Sequence, residues 1–349
     1  MRGTHETRFG RVLSLSFAGR DRILTKFRRN LKCCRMQCPR CPQHWKICGA
    51  SSGLVIGTRP GTEDAALPLA GRGGYLAAAL SMWQTHVPRA DRILDVNAQT
   101  LPLGRLTCRV IDDLPAGQPP EFIVVLCHGY GAPGTDLVPF GPELLEHSPA
   151  LAERVQFLFP EAPLDLEDLG MPGGRAWWHL NMRKLQMAVA TGEIRDLRAE
   201  QPEGLEFARQ RLLAVIAEWS KRTGVPISRF VLGGFSQGSM LATDVTLHLD
   251  ETPAGLIVLS GTLLNEAAWR KLAPRRAGLS VLQSHGKDDP LLPYICAELL
   301  RDMLGEAGAK VEFVSFRGGH GIPREVFDKV ASTLERLCQV MTQTSEAKD

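Results

Sequence analysis

A serine stands at position 236 in the pattern Gly-Phe-Ser-Gln-Gly, which separates an apolar run typical of a strand from a helical pattern. A sharp turn from strand to helix holds a serine hydroxyl at the end of a sheet, in the geometry called a nucleophile elbow. Gly234 and Gly238 lack the side chains that would collide where strand and helix approach closely. We therefore interpret Ser236 as the candidate nucleophile.

Two residues that could complete a serine triad follow later predicted strands. Asp289 lies 53 residues after the serine, and His320 lies 31 residues after that acid, in a Gly-Gly-His-Gly loop. A carboxylate fixes the imidazole tautomer, and the imidazole then takes the proton of the serine hydroxyl. Asp288 competes for the role of the acid, but the rigid turn expected at Pro290 favours its direct neighbour, Asp289.

A Gly-rich turn, His-Gly-Tyr-Gly at 128–131, closes another predicted strand. We expect the backbone N–H groups of Tyr130 and Gln237 to converge on the substrate carbonyl as it becomes an oxyanion. Losing one such donor costs about 2.7 to 4 kcal/mol of transition-state stabilisation. The side chains of His128 and His285 are expected to brace their loops and to take no part in proton transfer.

The elements that must position these residues alternate regularly from about residue 105 onward. Apolar runs of strand length, linked by helical patterns, predict a mostly parallel sheet with helices on both faces. Side chains that do chemistry collect at the carboxyl ends of such strands. The predicted strands are 106–111, 122–127, 155–159, 230–234, 256–260, 279–284 and 311–316, and the predicted helices are 137–147, 205–219, 239–249, 295–304 and 324–340.

Composition divides the chain into unequal parts. The 349 residues are 44% hydrophobic, enough for one catalytic domain with an extension. Residues 1–60 carry 13 lysines and arginines against Glu6 and Asp21, whereas the remainder is net acidic and offers no field suited to nucleic acid. We expect a basic extension at 1–60, a linker at 61–104 and the catalytic domain at 105–349. No apolar run reaches the roughly 18 residues of a membrane helix.

The basic extension also holds five of the nine cysteines, at positions 33, 34, 38, 41 and 48. One hypothesis is a zinc site formed by Cys38, Cys41, His44 and Cys48. A second hypothesis is an organellar transit peptide. The favoured interpretation is an extension that is either disordered or not part of the native product, with Met82 as one candidate later start. The four scattered cysteines are typical of a reducing compartment, so we expect a cytoplasmic protein without a metal.

From about residue 105 to 340 the chain resembles the carboxylesterase/phospholipase family of α/β-hydrolases, which includes the acyl-protein thioesterases. The resemblance rests on five motifs: HGYG at 128–131, GGRAWW at 173–178, GFSQG at 234–238, HGKDDP at 285–290 and Gly-His at 319–320. It implies an α/β-hydrolase fold, Ser236, Asp289 and His320 as the triad, and Tyr130 and Gln237 as oxyanion donors. It also implies hydrolysis of esters or thioesters without a cofactor.

Two departures from the family lie beside the expected site. Ser239 replaces a usual glycine after the elbow, and a glycine precedes His320 where a bulkier residue is common. The segment 181–204 is long and charged for the family, and we interpret it as a lid. Trp177 and Trp178 are candidates for lining an acyl pocket, and we expect one ring in the core and the other at the pocket.

These observations predict a serine hydrolase that cleaves small carboxylic esters, with thioesters and lysophospholipids as further candidates. The enzyme is expected to act as a monomer or homodimer. Two alternatives remain open from the residues. One is a catalytically silent binding protein on the same scaffold, and the other is a peptidase of the same fold.

Overall fold

The computed structural model describes residues 96–191 and 196–346. The basic extension, its cysteine cluster and Met82 lie outside the described residues. The described part holds an eight-stranded sheet with the order β1-β2-β4-β3-β7-β8-β9-β10 and a separate two-stranded sheet of β5 and β6. The strands are β1 (Asn97–Leu103), β2 (Leu106–Asp112), β3 (Phe122–Cys127), β4 (Val155–Pro160), β5 (Leu164–Asp165), β6 (Arg175–Ala176), β7 (Phe230–Phe235), β8 (Gly255–Leu259), β9 (Ser280–Gly286) and β10 (Lys310–Phe316).

The large sheet is mostly parallel, as the sequence predicted. Only β1 with β2, and β2 with β4, pair in antiparallel fashion among its strands, and the five pairings from β4 to β10 are parallel. The central strands β3, β4, β7 and β8 are buried along their whole length. Such continuous burial requires cover on both faces of the sheet.

Each face of the sheet packs against its own set of helices. Along β3, Ile123 and Val125 belong to one apolar core, whereas Val124 and Leu126 belong to the other. This alternation follows the two-residue period of a strand. The helices are α1 (Phe140–His147), α2 (Pro149–Ala152), α3 (Met182–Thr191), α4 (Leu205–Thr223), α5 (Gln237–His248), α6 (Glu266–Leu272), α7 (Tyr294–Glu306) and α8 (Arg324–Glu346). Buried side chains of α4, α5 and α7 form the first core, and those of α1 and α8 form the second.

All seven strands predicted from the sequence are present, and their ends lie within two residues of the predicted ones. The five predicted helices are present as well. The sheet nevertheless begins earlier than predicted, because β1 lies within the stretch that the sequence analysis assigned to a linker. Its turn into β2 is formed by Gly104 and Arg105, both with positive φ, and the N–H of Gly104 donates to Glu218 of α4 at 2.9 Å.

Helix α5, which follows Ser236, is held at its far end by Arg276. This arginine is only 2% exposed, and its guanidinium donates to the backbone carbonyls of Thr246 and Leu249 and to the hydroxyl of Thr252. Those carbonyls belong to the last turn and the end of the helix, where no N–H of the helix can reach them. Burial lowers the pKa of Arg276, with the neighbouring Arg275 acting in the same direction.

The four cysteines within the described residues, Cys108, Cys127, Cys296 and Cys338, are all buried thiols. Burial raises the pKa of Cys108 and of Cys338 to about 12. These side chains therefore stay protonated and act as small apolar groups at neutral pH. Within the described ranges, no helix is long and apolar enough to cross a membrane.

Candidate active site

Ser236 lies at the turn between β7 and α5 and has φ 53° and ψ −120°. A non-glycine residue in this region is strained, and such strain persists only where its surroundings enforce it. The backbone N–H of Ser236 donates to Leu259 at the end of β8 at 2.9 Å, and its carbonyl accepts the hydroxyl of Ser239 at 2.7 Å. The turn is thus held from the neighbouring strand and from the first turn of the helix.

The two glycines of the elbow are required by close packing of the backbone. A Cβ at Gly234 or at Gly238 would collide with the backbone carbonyl oxygen of Cys127, and the Gly238 Cβ would also meet the carbonyl of His128. The strand β3 therefore passes directly under the start of α5. This arrangement has the geometry that the sequence predicted for a nucleophile elbow.

Asp289 and His320 are in direct contact, although 31 residues separate them in the sequence. The Oδ2 atom of Asp289 lies 2.7 Å from Nδ1 of His320, and the other carboxylate oxygen accepts the backbone N–H groups of Leu291 and Leu292, both at 2.9 Å. Asp289 is buried, whereas the competing Asp288 is exposed. The structure thus places the favoured acid, and not its neighbour, against the histidine.

The carboxyl group of Asp289 is held in its ionised form. Burial by itself would raise its pKa, but the charge of His320 and the hydrogen bonds from His285 and His320 outweigh burial, so the pKa lies well below its ordinary value. A carboxylate with this charge fixes the proton on Nδ1 of His320. With the proton on Nδ1, the Nε2 atom of the neutral ring is the nitrogen that carries a lone pair, as a general base requires.

The imidazole of His320 lies beside the elbow. Its centroid is 4.8 Å from the ring of Phe235, the residue directly before Ser236. The next residue of the histidine loop, Gly321, accepts the hydroxyl of Ser260 at the end of β8, at 3.2 Å. Both Ser236 and His320 are buried, with 6% and 8% of their surfaces exposed. The structure therefore brings Asp289, His320 and the serine turn to the same edge of the sheet.

The loop that carries Tyr130 is fixed by a backbone pairing with Arg175. The N–H of Gly131 donates to the carbonyl of Arg175 at 2.9 Å, and the N–H of Arg175 donates to Ala132 at 3.0 Å. The guanidinium of Arg175 also donates to the carbonyl of Ala162 at 3.0 Å, beyond the end of β4. This arginine thus positions the predicted oxyanion loop, a role that the sequence analysis did not assign.

His128 braces the same loop, as expected. One ring nitrogen lies 2.8 Å from the carbonyl of Gly129, and the other accepts the N–H of Ala162 at 3.1 Å. Burial lowers the pKa of His128 to about 4, although the hydrogen bond with Gly129 acts in the opposite direction. The ring is therefore neutral near pH 7, which suits a structural histidine.

Gln237 is the first residue of α5, so its backbone N–H has no carbonyl partner within the helix and lies at the positive end of the helix dipole. Its side chain is also engaged. The amide oxygen accepts the N–H of Trp177 at 3.0 Å, and the amide nitrogen donates to the carbonyl of Trp178 at 2.8 Å. These two bonds fix the tryptophan dipeptide to the start of α5.

A cavity of about 200 Å³ opens at the elbow. Ser236, Gln237 and Tyr130 are among the residues that line it. The other lining residues are mainly apolar and include Trp178, Leu180, Leu197, Met240, Leu264, Leu291 and Leu292. A concave, mostly apolar site with few polar groups is the usual form of a pocket for a small molecule.

The two tryptophans have different surroundings. Trp178 lines the cavity. Trp177 is fully buried in the core, and its indole N–H donates to the carbonyl of His128 at 2.9 Å. Both tryptophans belong to the first apolar core, and Trp178 also lines the cavity, so its contact with an acyl group stays a prediction.

The charged segment 181–204 also contributes to the cavity wall. Lys184 of α3 forms an ion pair with Glu200 at 2.7 Å, and both line the cavity. The backbone carbonyl of Glu200 accepts the N–H of Asn265, in the loop after β8, at 3.2 Å. Residues 192–195 lie outside the described ranges, so the interpretation of the whole segment as a lid stays a prediction.

Three positions near the site were not recognised from the sequence as contributing to it: the side chains of Gln237 and Arg175, and the contact of His285 with Asp289. The GGRAWW motif was the available signal for Arg175, and the four-residue spacing to Asp289 was the signal for His285. Within the part of the chain that the structure describes, no group of three or more His, Cys, Asp or Glu side chains could hold a metal ion.

This architecture, a mostly parallel sheet with a strand-serine-helix elbow and an Asp-His contact at its carboxyl edge, defines an α/β-hydrolase. A sequence profile of the phospholipase/carboxylesterase family matches residues 114–338. The chain belongs to this family of serine hydrolases and is an enzyme that hydrolyses esters. The resemblance drawn from the five motifs is thereby confirmed.

Relatives and solved structures agree with this assignment. The chain is 27% identical over 202 residues to acyl-protein thioesterase 1 of Neurospora crassa, covering 56% of this chain and 80% of the relative. It is similar to the crystal structure of esterase PE8, with 25% identity, a TM-score of 0.54 and coverage of 70% of this chain and 100% of that one. A carboxylesterase from Mesorhizobium loti shares the fold at 19% identity and a TM-score of 0.52, over 68% and 98% of the two chains.

Proposed function

We propose that Ser236, His320 and Asp289 act as a catalytic triad that cleaves carboxylic esters through an acyl-enzyme. The observation that carries the proposal is the 2.7 Å contact between the carboxylate of Asp289 and Nδ1 of His320, on a ring beside the elbow. In a triad, that carboxylate orients the imidazole and stabilises the imidazolium that forms during the reaction.

The reaction would run in two halves. Ser236 Oγ attacks the acyl carbonyl carbon while Nε2 of His320 accepts the hydroxyl proton, and the imidazolium then returns this proton to the departing alkoxide. Water enters, gives a proton to His320 and attacks the acyl-enzyme. The second tetrahedral intermediate then collapses to the acid as the imidazolium returns this proton to Oγ of Ser236. The backbone N–H groups of Tyr130 and Gln237 would stabilise the negative oxygen in both intermediates.

The acyl group would occupy the apolar cavity against Trp178, Met240 and Leu264. Because the relative from Neurospora crassa is named an acyl-protein thioesterase, thioesters are proposed as a second class of substrate. Matched oxygen esters and thioesters of butyrate would measure the preference, since they share the acyl group and differ at the leaving atom.

Substitution of the serine tests the proposal directly. Ser236→Ala should lower kcat for p-nitrophenyl butyrate on the order of 10⁶-fold, the loss measured when the nucleophile of a related chemistry is removed. It should also abolish labelling by a fluorophosphonate while circular dichroism stays unchanged. Ser332→Ala, on the exposed surface of α8, serves as the control and should keep full activity. Retained turnover or retained labelling in Ser236→Ala would reject the assignment.

The cysteines bear on the cellular compartment of the enzyme. Four buried thiols with raised pKa values suit a reducing compartment, which supports the cytoplasm. A monomer or a homodimer is proposed, and light scattering of the purified full chain would decide between them.

A further inference from the structure

His285 lies at the end of β9, and its surroundings connect it to the candidate acid. Its surface is fully buried, and its backbone is held in the sheet, where it pairs with Ser315 of β10. The next residue, Gly286, packs so closely that a Cβ there would collide with the carbonyls of Gly318 and Gly319 in the histidine loop. The position of His285 is therefore fixed from both sides.

The Nε2 atom of His285 faces two acceptors. The carbonyl oxygen of Leu292 lies 2.7 Å away, and Oδ2 of Asp289 lies 3.2 Å away. Neither acceptor carries a hydrogen, so Nε2 of His285 must be the protonated nitrogen. The other ring nitrogen, Nδ1, is buried without a hydrogen-bond partner among the described residues.

Two imidazoles thus meet one carboxylate. Oδ1 of Asp289 accepts two backbone N–H groups, and Oδ2 accepts His320 and lies within reach of His285. Because both oxygens of Asp289 accept hydrogen bonds from fixed donors, rotation of the carboxylate would break some of these bonds. His285 also holds the carbonyl of Leu292, whose N–H donates to the same carboxylate. The turn from Asp289 to Leu292 is therefore fastened at both of its ends.

We propose that His285 is a positioning residue, which holds the carboxylate of Asp289 and the turn that follows it so that the carboxylate faces Nδ1 of His320. It does not touch the substrate and transfers no proton. The inference rests on the proposed triad. It adds His285 as a fourth residue, which affects catalysis by holding Asp289 in place.

Three variants test this role. His285→Leu fills the space but removes the donor, whereas His285→Gln offers an amide N–H in place of Nε2. Gln283→Leu is the matched control, because Gln283 lies two residues earlier on the same strand, is fully buried and donates to the backbone carbonyl of Ala297 at 2.8 Å. It loses one buried hydrogen bond of the same kind, away from Asp289.

Steady-state kinetics with p-nitrophenyl butyrate should separate positioning from simple packing. We expect His285→Leu to lower kcat about 10- to 100-fold, the size of effect that a small misplacement of a reacting group produces, with little change in KM. His285→Gln should recover most of the native kcat. Gln283→Leu should keep the native kcat even though it loses about as much thermal stability as His285→Leu. Fluorophosphonate labelling of Ser236 should slow in parallel with kcat.

Other outcomes reject the inference without touching the triad. If His285→Leu keeps kcat, or if Gln283→Leu loses as much as His285→Leu, then His285 only packs the strand end. If His285→Leu does not fold, His285→Gln decides alone, since a kcat no better than a tenth of the native value would contradict the role of the donor. An active Ser236→Ala variant would instead overturn the proposed function itself.

Discussion

The side-chain oxygen of Gln237 accepts the backbone N–H of Trp177 at 3.0 Å, across 60 residues of sequence. The same amide donates to the carbonyl of Trp178. The residue after the candidate nucleophile thus orients the pocket wall with its side chain, while its backbone N–H lies at the start of the helix, where the oxyanion is expected to form. Wall and elbow are joined through one side chain.

Gln237→Leu should separate these two roles. The substitution leaves the N–H of Trp177 buried without its acceptor, so we expect the free energy of unfolding to fall by about 1–3 kcal/mol. We also expect kcat/KM for p-nitrophenyl butyrate to fall by about tenfold, because Trp178 loses its attachment to the elbow. Urea unfolding and steady-state kinetics measure the two effects. The exposed Gln210→Leu should change neither, and unaltered kinetics in Gln237→Leu would contradict the coupling.

The two tryptophans should respond differently to substitution. Trp178→Ala enlarges the cavity, so we expect the preference among p-nitrophenyl esters to move toward longer acyl chains. Trp177→Ala removes a core ring and should lower the free energy of unfolding by about 3–5 kcal/mol. The folded fraction of this variant should keep the native preference for acyl-chain length. Identical profiles for Trp178→Ala and the native enzyme would show that this ring does not contact the acyl group.

Arg276 predicts a stability effect far from the chemistry. Arg276→Met removes the donor from the carbonyls of Thr246 and Leu249 at the end of α5. We expect a loss of about 1.5–3 kcal/mol in the free energy of unfolding, the range for hydrogen bonds from a charged group. Guanidinium unfolding measures it. The adjacent Arg275→Met, on an exposed side chain, should cost less than about 0.5 kcal/mol, and equal losses would contradict the capping role.

His128 predicts how stability depends on pH. Its pKa in the folded protein is lowered from 6.5 to about 4 by burial, so below pH 6.5 the unfolded chain binds a proton that the folded protein does not. Stability should therefore fall as the pH drops from 6.5 toward 4, by about 1.4 kcal/mol per pH unit within that window. Asp289, with its lowered pKa, keeps its stabilising effect throughout this window and loses it only at lower pH.

Urea unfolding at pH 7, 6 and 5 tests the assignment to this histidine. His128→Asn should be less stable at every pH but should show a shallower slope, since it has no group that titrates there. His147→Asn, at an exposed position of α1, should keep the native slope. The same slope in His128→Asn and the native protein would assign the pH dependence to another group.

Much of the fold was predictable because its central strands are continuous apolar runs between helical patterns. Strand β1 was not, since five of its seven residues are exposed and Pro102 interrupts the strand pattern. The turn after β1 is fixed by a hydrogen bond from Gly104 to Glu218, 114 residues away, and no local sequence pattern predicts this contact.

The candidate site shows the same division. The residue types and order of Ser236, Asp289 and His320, and the motifs around them, could be recognised from the sequence. The choice of Asp289 over Asp288 relied on turn chemistry and agrees with the observed contact. The hydrogen bonds of Gln237 and His285 could not be anticipated, because they depend on where distant segments pack in three dimensions.

The turn from Asp289 to Leu292 has a consequence for how substrate range can diverge. It holds the candidate acid through its backbone and presents Leu291 and Leu292 to the cavity. Substitutions that move the backbone of this turn would disturb catalysis and specificity together. We therefore expect evolution or protein engineering to alter only the side chains of Leu291 and Leu292 there. Leu197 and Glu200 also line the cavity, and the segment that holds them bears no member of the proposed triad. New substrate preferences should therefore be easiest to select in that segment.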